Sequence, residues 1–233
     1  MFADKYLDYS KEHLDSILSD LFGNKQLSSK KDAIFMAGSP GAGKSEVAHL
    51  LADSYKNMIV LDTDDFRFLF PDYDGSNSSN FQKACSWLTE QAFQYLTEKG
   101  YSFIYDTTFA VPSAEKKIKR VLKNGYRSVI FYVYQEPKIA WQFTKDRERV
   151  EGRKVPKETF INAFLHAREN VEKVKVRHPE TLVHLIIKDY QNTIEEVHFD
   201  MENINLILPN NNTRETLEEV LYEWKRNSWP NCC

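Results

Sequence analysis

Short apolar runs alternate with amphipathic stretches through most of this chain, and the alternation predicts strands separated by helices. Ala33-Ile34-Phe35-Met36-Ala37 reads as a buried strand and Glu46 to Ala52 as the helix after it. Asn57-Met58-Ile59-Val60-Leu61 is a second apolar run. Phe81, Cys85, Leu88, Ala92, Tyr95 and Leu96 mark one face of a long helix that Gly100 closes. Tyr101 to Tyr105 predicts a third strand, Pro112 to Leu122 a helix closed near Gly125, and Arg127 to Tyr134 a fourth strand. Helices follow from about Pro137 to Glu151 and from Pro156 to Arg177, before a fifth strand from Leu182 to Ile187.

The ends of the chain read differently. Leu14, Ile17, Leu18 and Leu21 recur at helical spacing after a cap at Ser10, and Gly23 stops that helix. After Tyr190, His198-Phe199-Asp200 and Asn205-Leu206-Ile207-Leu208 suit a short hairpin or edge strands. A last helix runs from Thr213 to about Arg226, with Leu217, Val220, Leu221 and Trp224 on one face. Strands alternating with helices imply right-handed crossovers and a parallel sheet covered on both faces. The expected architecture is therefore a three-layer α/β fold with about five parallel strands.

Composition narrows the class. A chain of 233 residues with 42% hydrophobic content can bury one full-sized core. The expected organisation is a helix and connector over 1–30, a main domain over 31–190, and a small hairpin and helix over 191–233 packed on it. A net charge of −3 gives no global attraction to nucleic acid or to an anionic membrane. Three cysteines, Cys85, Cys232 and Cys233, form neither metal spacing nor a disulfide framework. With no apolar run long enough to span a bilayer, the reading is a cytoplasmic protein.

Chemistry first appears between the first strand and its helix. Gly38-Ser39-Pro40-Gly41-Ala42-Gly43-Lys44-Ser45 fits the phosphate-binding loop G-x-x-x-x-G-K-[ST], in the strand and helix context the motif requires. Consecutive amides and the positive helix end face a phosphate chain, Lys44 reaches the β- and γ-phosphates, and Ser45 holds Mg²⁺. The expectation is a P-loop NTPase fold that binds a nucleoside triphosphate with Mg²⁺.

In open α/β sheets ligands sit at the carboxyl ends of the strands. Those ends carry Asp62, Asp64 and Asp65, then Asp106, Thr107 and Thr108. A carboxylate there can take the proton of an attacking hydroxyl or help place Mg²⁺, and Asp62 joins Ser45 as the expected metal pair. Asp65 also suits the cap of a short helix from Phe66 to Phe70. Arg147, Arg149 and Arg153 cluster before Val155-Pro156, where a segment over about 144–157 reads as a helical lid whose guanidinium groups fork onto phosphate oxygens. Lys116, Lys117, Lys119, Arg120 and Lys123 read as a solvated basic helix face.

In order and spacing these residues resemble the zeta toxin family of bacterial kinases. The resemblance rests on Gly38 to Ser45, Val60-Leu61-Asp62-Thr63-Asp64-Asp65-Phe66-Arg67 with Pro71-Asp72-Tyr73, Ile104-Tyr105-Asp106-Thr107-Thr108, Pro137-Lys138-Ile139, and Gly152-Arg153-Lys154-Val155-Pro156-Lys157. It implies a kinase that uses ATP and Mg²⁺ to phosphorylate the 3′-hydroxyl of the amino sugar in UDP-N-acetylglucosamine, held inactive by a small helical antitoxin. On that pattern Asp64 is the base. Asp106 and Thr108 stand where the family has a substrate-binding glutamate and threonine, and Arg67 is expected with them at the acceptor. Arg153 matches a lid arginine, and the second lid arginine is Arg147 or Arg149. Ala110 stands where the family has an arginine, and Asp106 is one methylene shorter than the family's acid.

Two other readings fit parts of the pattern. A polynucleotide 5′-hydroxyl kinase shares the loop, an early aspartate and a basic lid. A nucleotide-dependent switch ATPase shares the loop alone, and the chain has neither a long apolar run ending in Asp-Glu nor an N-K-x-D guanine-reading motif. The leading expectation is a small-molecule acceptor, with no membrane and no nucleic-acid partner.

Overall fold

The computed structural model describes residues 2–55, 57–152, 154–208 and 212–227. Arg153, Cys232 and Cys233 lie outside the described residues, as does the side chain of Trp224. The strands are β1 (Asp32–Ala37), β2 (Ile59–Asp62), β3 (Phe103–Asp106), β4 (Arg127–Tyr134), β5 (Leu182–Lys188) and β6 (Ile194–His198). The helices are α1 (Phe2–Glu12), α2 (Leu14–Phe22), α3 (Lys44–Ser54), α4 (Ser78–Lys99), α5 (Ala114–Lys123), α6 (Pro137–Glu151), α7 (Lys157–Arg177) and α8 (Arg214–Asn227).

The sheet runs β2-β3-β1-β4-β5-β6, and all neighbours are parallel except β5 and β6. β1 is central because all six of its residues are buried. Alternate side chains enter opposite layers, as the pleat dictates. Phe35 joins a core built with α4, α5 and α7, while Ile34 and Met36 pack with Val47 and Ala48 of α3. The rings of Phe93, Phe103, Tyr105 and Phe109 surround Phe35, with centroids 5.9 to 6.4 Å away. Truncating a ring so enclosed costs about 3–5 kcal/mol. Phe109 follows Thr108 directly, so the same cluster anchors a loop of the site.

The sequence reading needs correction at both ends. The amino-terminal segment forms two helices, and Ser10 lies inside α1, where its hydroxyl donates to the Tyr6 carbonyl at 2.8 Å. Tyr6 packs on Phe70 and Phe81, with centroids 5.3 and 4.3 Å away, which ties α1 to α4. At the other end the sheet gains a sixth strand at Ile194–His198, and 204–206 is a 3-10 turn instead of a strand. β6 is an exposed edge rich in glutamate, so it lacks the apolar alternation that marks a half-buried strand. Leu217 and Leu221 of α8 pack with Trp141, Phe160 and Phe164 of α6 and α7.

Candidate active site

The phosphate-binding loop leaves β1 and turns into α3 with Gly41 at φ +75°, where a Cβ would overlap the Ala140 carbonyl oxygen of α6. Only glycine lets the lid helix approach this closely. Lys44 is buried and its Nζ donates to the Ser39 carbonyl at 2.7 Å, bending the side chain back over the loop. Because α3 begins at Lys44, the unpaired amides of its first turn and its dipole face the loop's concave side.

Two carboxylates meet there. Parallel register sets Asp62 beside Asp106 at the ends of β2 and β3. The Ser45 hydroxyl donates to Asp106 Oδ2 at 2.6 Å. Burial raises the Asp106 carboxyl above the usual carboxylate range, Lys44 and the Ser45 hydrogen bond pull it down, and Asp62 pushes it up. Asp65 is raised too, first by burial and then by Asp62. Among the described residues no group of three or more His, Cys, Asp or Glu side chains could hold a metal ion. The Ser45 hydroxyl with the Asp106 and Asp62 carboxylates is a donor set of the kind that suits Mg²⁺, which takes one or two protein carboxylates and fills its remaining positions with water and phosphate oxygens.

Asp64 sits just beyond β2, at the start of a 3-10 turn over Asp65–Leu69, and its N–H donates to Asp62 Oδ1 at 2.9 Å. Its carboxylate is 22% exposed and carries an ion pair from Arg67 Nη1. Arg67, expected at the acceptor, is only 3% exposed, and its Nη2 donates to Gln82 Oε1 at 2.8 Å. The Gln82 amide continues to Ser86 Oγ at 3.0 Å. On the other side Arg147 Nη2 lies 3.8 Å from Asp64 Oδ2, while its Nε donates to Glu151 at 2.6 Å. Arg149 is 67% exposed and pairs with Asp146 at 3.1 Å.

Thr108 belongs to the loop after β3, and its carbonyl accepts the Gly38 N–H at 3.1 Å. Phe109 takes φ +59°, a backbone rare for a bulky side chain. It is held there by burial and by Asn170 Nδ2, which donates to its carbonyl at 2.9 Å. Strain of this kind persists only where surroundings over-determine it, and it clusters at functional loops. Ala110 is half-buried, with its N–H toward Thr108 Oγ1 at 3.4 Å.

Several side chains here escaped the sequence reading. Gln82 and Asn170 carry no motif, because hydrogen bonds across 15 and 61 residues leave no local pattern. Lys188 ends β5 and lies against Gly43 of the loop, and the rule that strand ends face ligands could have flagged it. Lys117 corrects the reading of a uniformly solvated basic face. It is buried, pairs with Glu90 and lies over the Phe93 ring at 4.5 Å.

A mostly parallel sheet with this loop between β1 and α3, and a helical lid over it, is the fold of the P-loop kinases. Within that class the chain belongs to the zeta toxin family, whose model matches residues 14–213. It is 24% identical over 239 residues to Toxin PezT of Streptococcus pneumoniae, covering 95% of this chain and 90% of that one. Among solved structures it resembles one from the PezAT chromosomal toxin-antitoxin system of Streptococcus pneumoniae, with TM-score 0.66, 16% identity and 94% of each chain covered. A structure of the AvrRxo1-ORF1:-ORF2 complex with ATP matches at TM-score 0.59 and 12% identity, over 97% of this chain and 84% of that one.

Proposed function

We propose that this zeta-type toxin is a kinase that transfers the γ-phosphoryl of ATP to a hydroxyl of a nucleotide sugar such as UDP-N-acetylglucosamine. The observation that carries the reading is Asp64 between Arg67 and Arg147, with its N–H on Asp62, which pairs in register with Asp106. Asp64 accepts the proton of the attacking hydroxyl as its oxygen bonds to phosphorus and the bond to the ADP oxygen breaks. Lys44 and Arg147 neutralise the phosphoryl oxygens, joined by Arg153 from the lid. Ser45 with Asp106 and Asp62 would hold Mg²⁺, whose charge offsets that of the β- and γ-phosphates when bound.

The acceptor side is formed by Thr108 and its neighbours, with Arg67 acting through Asp64. Ala110 supplies no cation, so an acceptor diphosphate loses one charge-assisted contact here relative to the family pattern. Family membership also supports a small helical antitoxin as partner.

The test is phosphate transfer from labelled ATP into a metabolite extract, with products identified by mass spectrometry. Lys44→Ala and Asp64→Ala should each abolish transfer, and Asp64→Ala should retain ATP binding. Brisk ATP hydrolysis without an acceptor, together with full activity of Asp64→Ala, would sink the base assignment.

A further inference from the structure

Lys188 is 6% exposed, and among the described residues it forms no ion pair. A Cβ placed on Gly43 would lie 2.8 Å from its Nζ and 2.7 Å from Asn192 Oδ1, so both side chains press on the glycine that precedes Lys44. Asn192 Oδ1 is itself buried and accepts no hydrogen bond. A largely covered lysine that forms no ion pair, next to an unused buried acceptor, leaves room for a ligand with an anionic group to complete the site.

The turn carrying these groups is closed by its own hydrogen bonds. Asp189 Oδ1 accepts the N–H groups of Gln191 and Thr193 at 2.9 and 2.8 Å, and its Oδ2 accepts the Thr193 hydroxyl at 2.6 Å. Gln135 Nε2 donates to the Asp189 carbonyl at 2.6 Å, tying the turn to the end of β4. Asn192 adopts φ +63°, which asparagine tolerates better than most residues and which sets its side chain toward the loop. The Lys188 ammonium sits below the usual lysine range because of burial, while Glu46 and Asp189 favour its charged form from a distance.

Sheet order decides what that ligand is. Asp62, Asp64 and Asp106 lie on the β2 and β3 side of β1, while Lys188 lies on the β5 side. A triphosphate whose γ end faces Asp64 must direct its nucleoside end toward β5. We infer that Lys188 is a second phosphate-binding cation, which holds the α- and β-phosphates of the nucleotide opposite Lys44, with the free Asn192 acceptor beside it on Gly43. This rests on the nucleotide-binding reading above and names a residue that reading does not need.

The experiment compares binding of fluorescent ATP, ADP and adenosine analogues to wild type, Lys188→Met, Lys188→Arg, Asn192→Ala and Lys44→Ala, with thermal melts of each unliganded protein. Lys188→Met should bind ATP and ADP at least tenfold more weakly, leave adenosine binding unchanged, and melt at or above wild type because a charge that burial disfavours is gone. Lys188→Arg should recover part of the loss, and Asn192→Ala should lose less than Lys188→Met. Unchanged ADP affinity in Lys188→Met, while Lys44→Ala loses it, overturns this inference alone. A lower melting temperature with equal loss for adenosine overturns it too, by making Lys188 a structural prop. Wild type that binds no nucleotide removes both this inference and the reading beneath it.

Discussion

Arg147 Nη2 stands 3.8 Å from Asp64 Oδ2, so α6 delivers a guanidinium to the carboxylate that follows β2. Spacing alone left Arg147 and Arg149 equivalent, since both lie on the last turns of α6. They point to different places. Arg147 faces Asp64, whereas Arg149 turns to solvent and pairs with Asp146. A cation beside the transferring phosphoryl contributes roughly 10³ to 10⁵ in rate. Arg147→Ala should therefore lower kcat by at least about 10²-fold, with Arg149→Ala within about threefold of wild type. Steady-state transfer assays separate the two, and equal losses would show that both arginines reach the phosphates in the working state.

Asp106 gives a prediction of opposite sign for stability and for activity. Burial raises its carboxyl above the ordinary value, so the folded state favours the protonated acid relative to the unfolded chain. The sign follows by linkage. Stability from this group is fully present below the unfolded value and is lost as pH rises through the raised folded value. Asp106→Asn removes that loss while keeping an oxygen to accept from Ser45. The unliganded variant should melt about 2 °C or more above wild type at pH 7, with the gap closing below about pH 4. On the proposed mechanism, phosphate transfer should fall by about 10²-fold or more, because a carboxylate proposed to hold Mg²⁺ is gone. A variant that melts lower than wild type at neutral pH would mean the ionised acid is well compensated.

Most of the sheet was legible because β1, β3 and β4 are apolar on both faces, which a central parallel strand must be. The loop was legible because phosphate chemistry needs glycines, a lysine and a hydroxyl in a fixed order. β6 was not, since an exposed edge strand of Ile194, Glu195, Glu196 and Val197 carries no core pattern. Ser10 misled for a different reason. Serine suits a helix start, but its hydroxyl here bonds the Tyr6 carbonyl within α1. The arrangement around Asp64 was half legible: the acid follows a strand end, yet nothing local tells that Gln82, 15 residues beyond Arg67, completes its support.

That support makes the last prediction. Arg67 is nearly fully buried and its guanidinium spans two acceptors, Asp64 and Gln82 Oε1, in directions that a planar fork serves. A lysine keeps the charge but not the geometry. Arg67→Lys should therefore leave the ATP KM unchanged and lower kcat by about tenfold, since an ammonium in place of the planar fork orients Asp64 less tightly. Arg67→Ala leaves a partly buried carboxylate without its main counter-charge and should cost about 3 kcal/mol or more in stability, read from denaturant unfolding. Gln82→Ala should cost nearer 1 kcal/mol, the loss of one hydrogen bond to a charged group that keeps its other partner. If Arg67→Lys instead raised the acceptor KM with kcat unchanged, Arg67 would touch the acceptor itself, and the orientation of Asp64 would have to come from its own N–H bond to Asp62 and from Arg147.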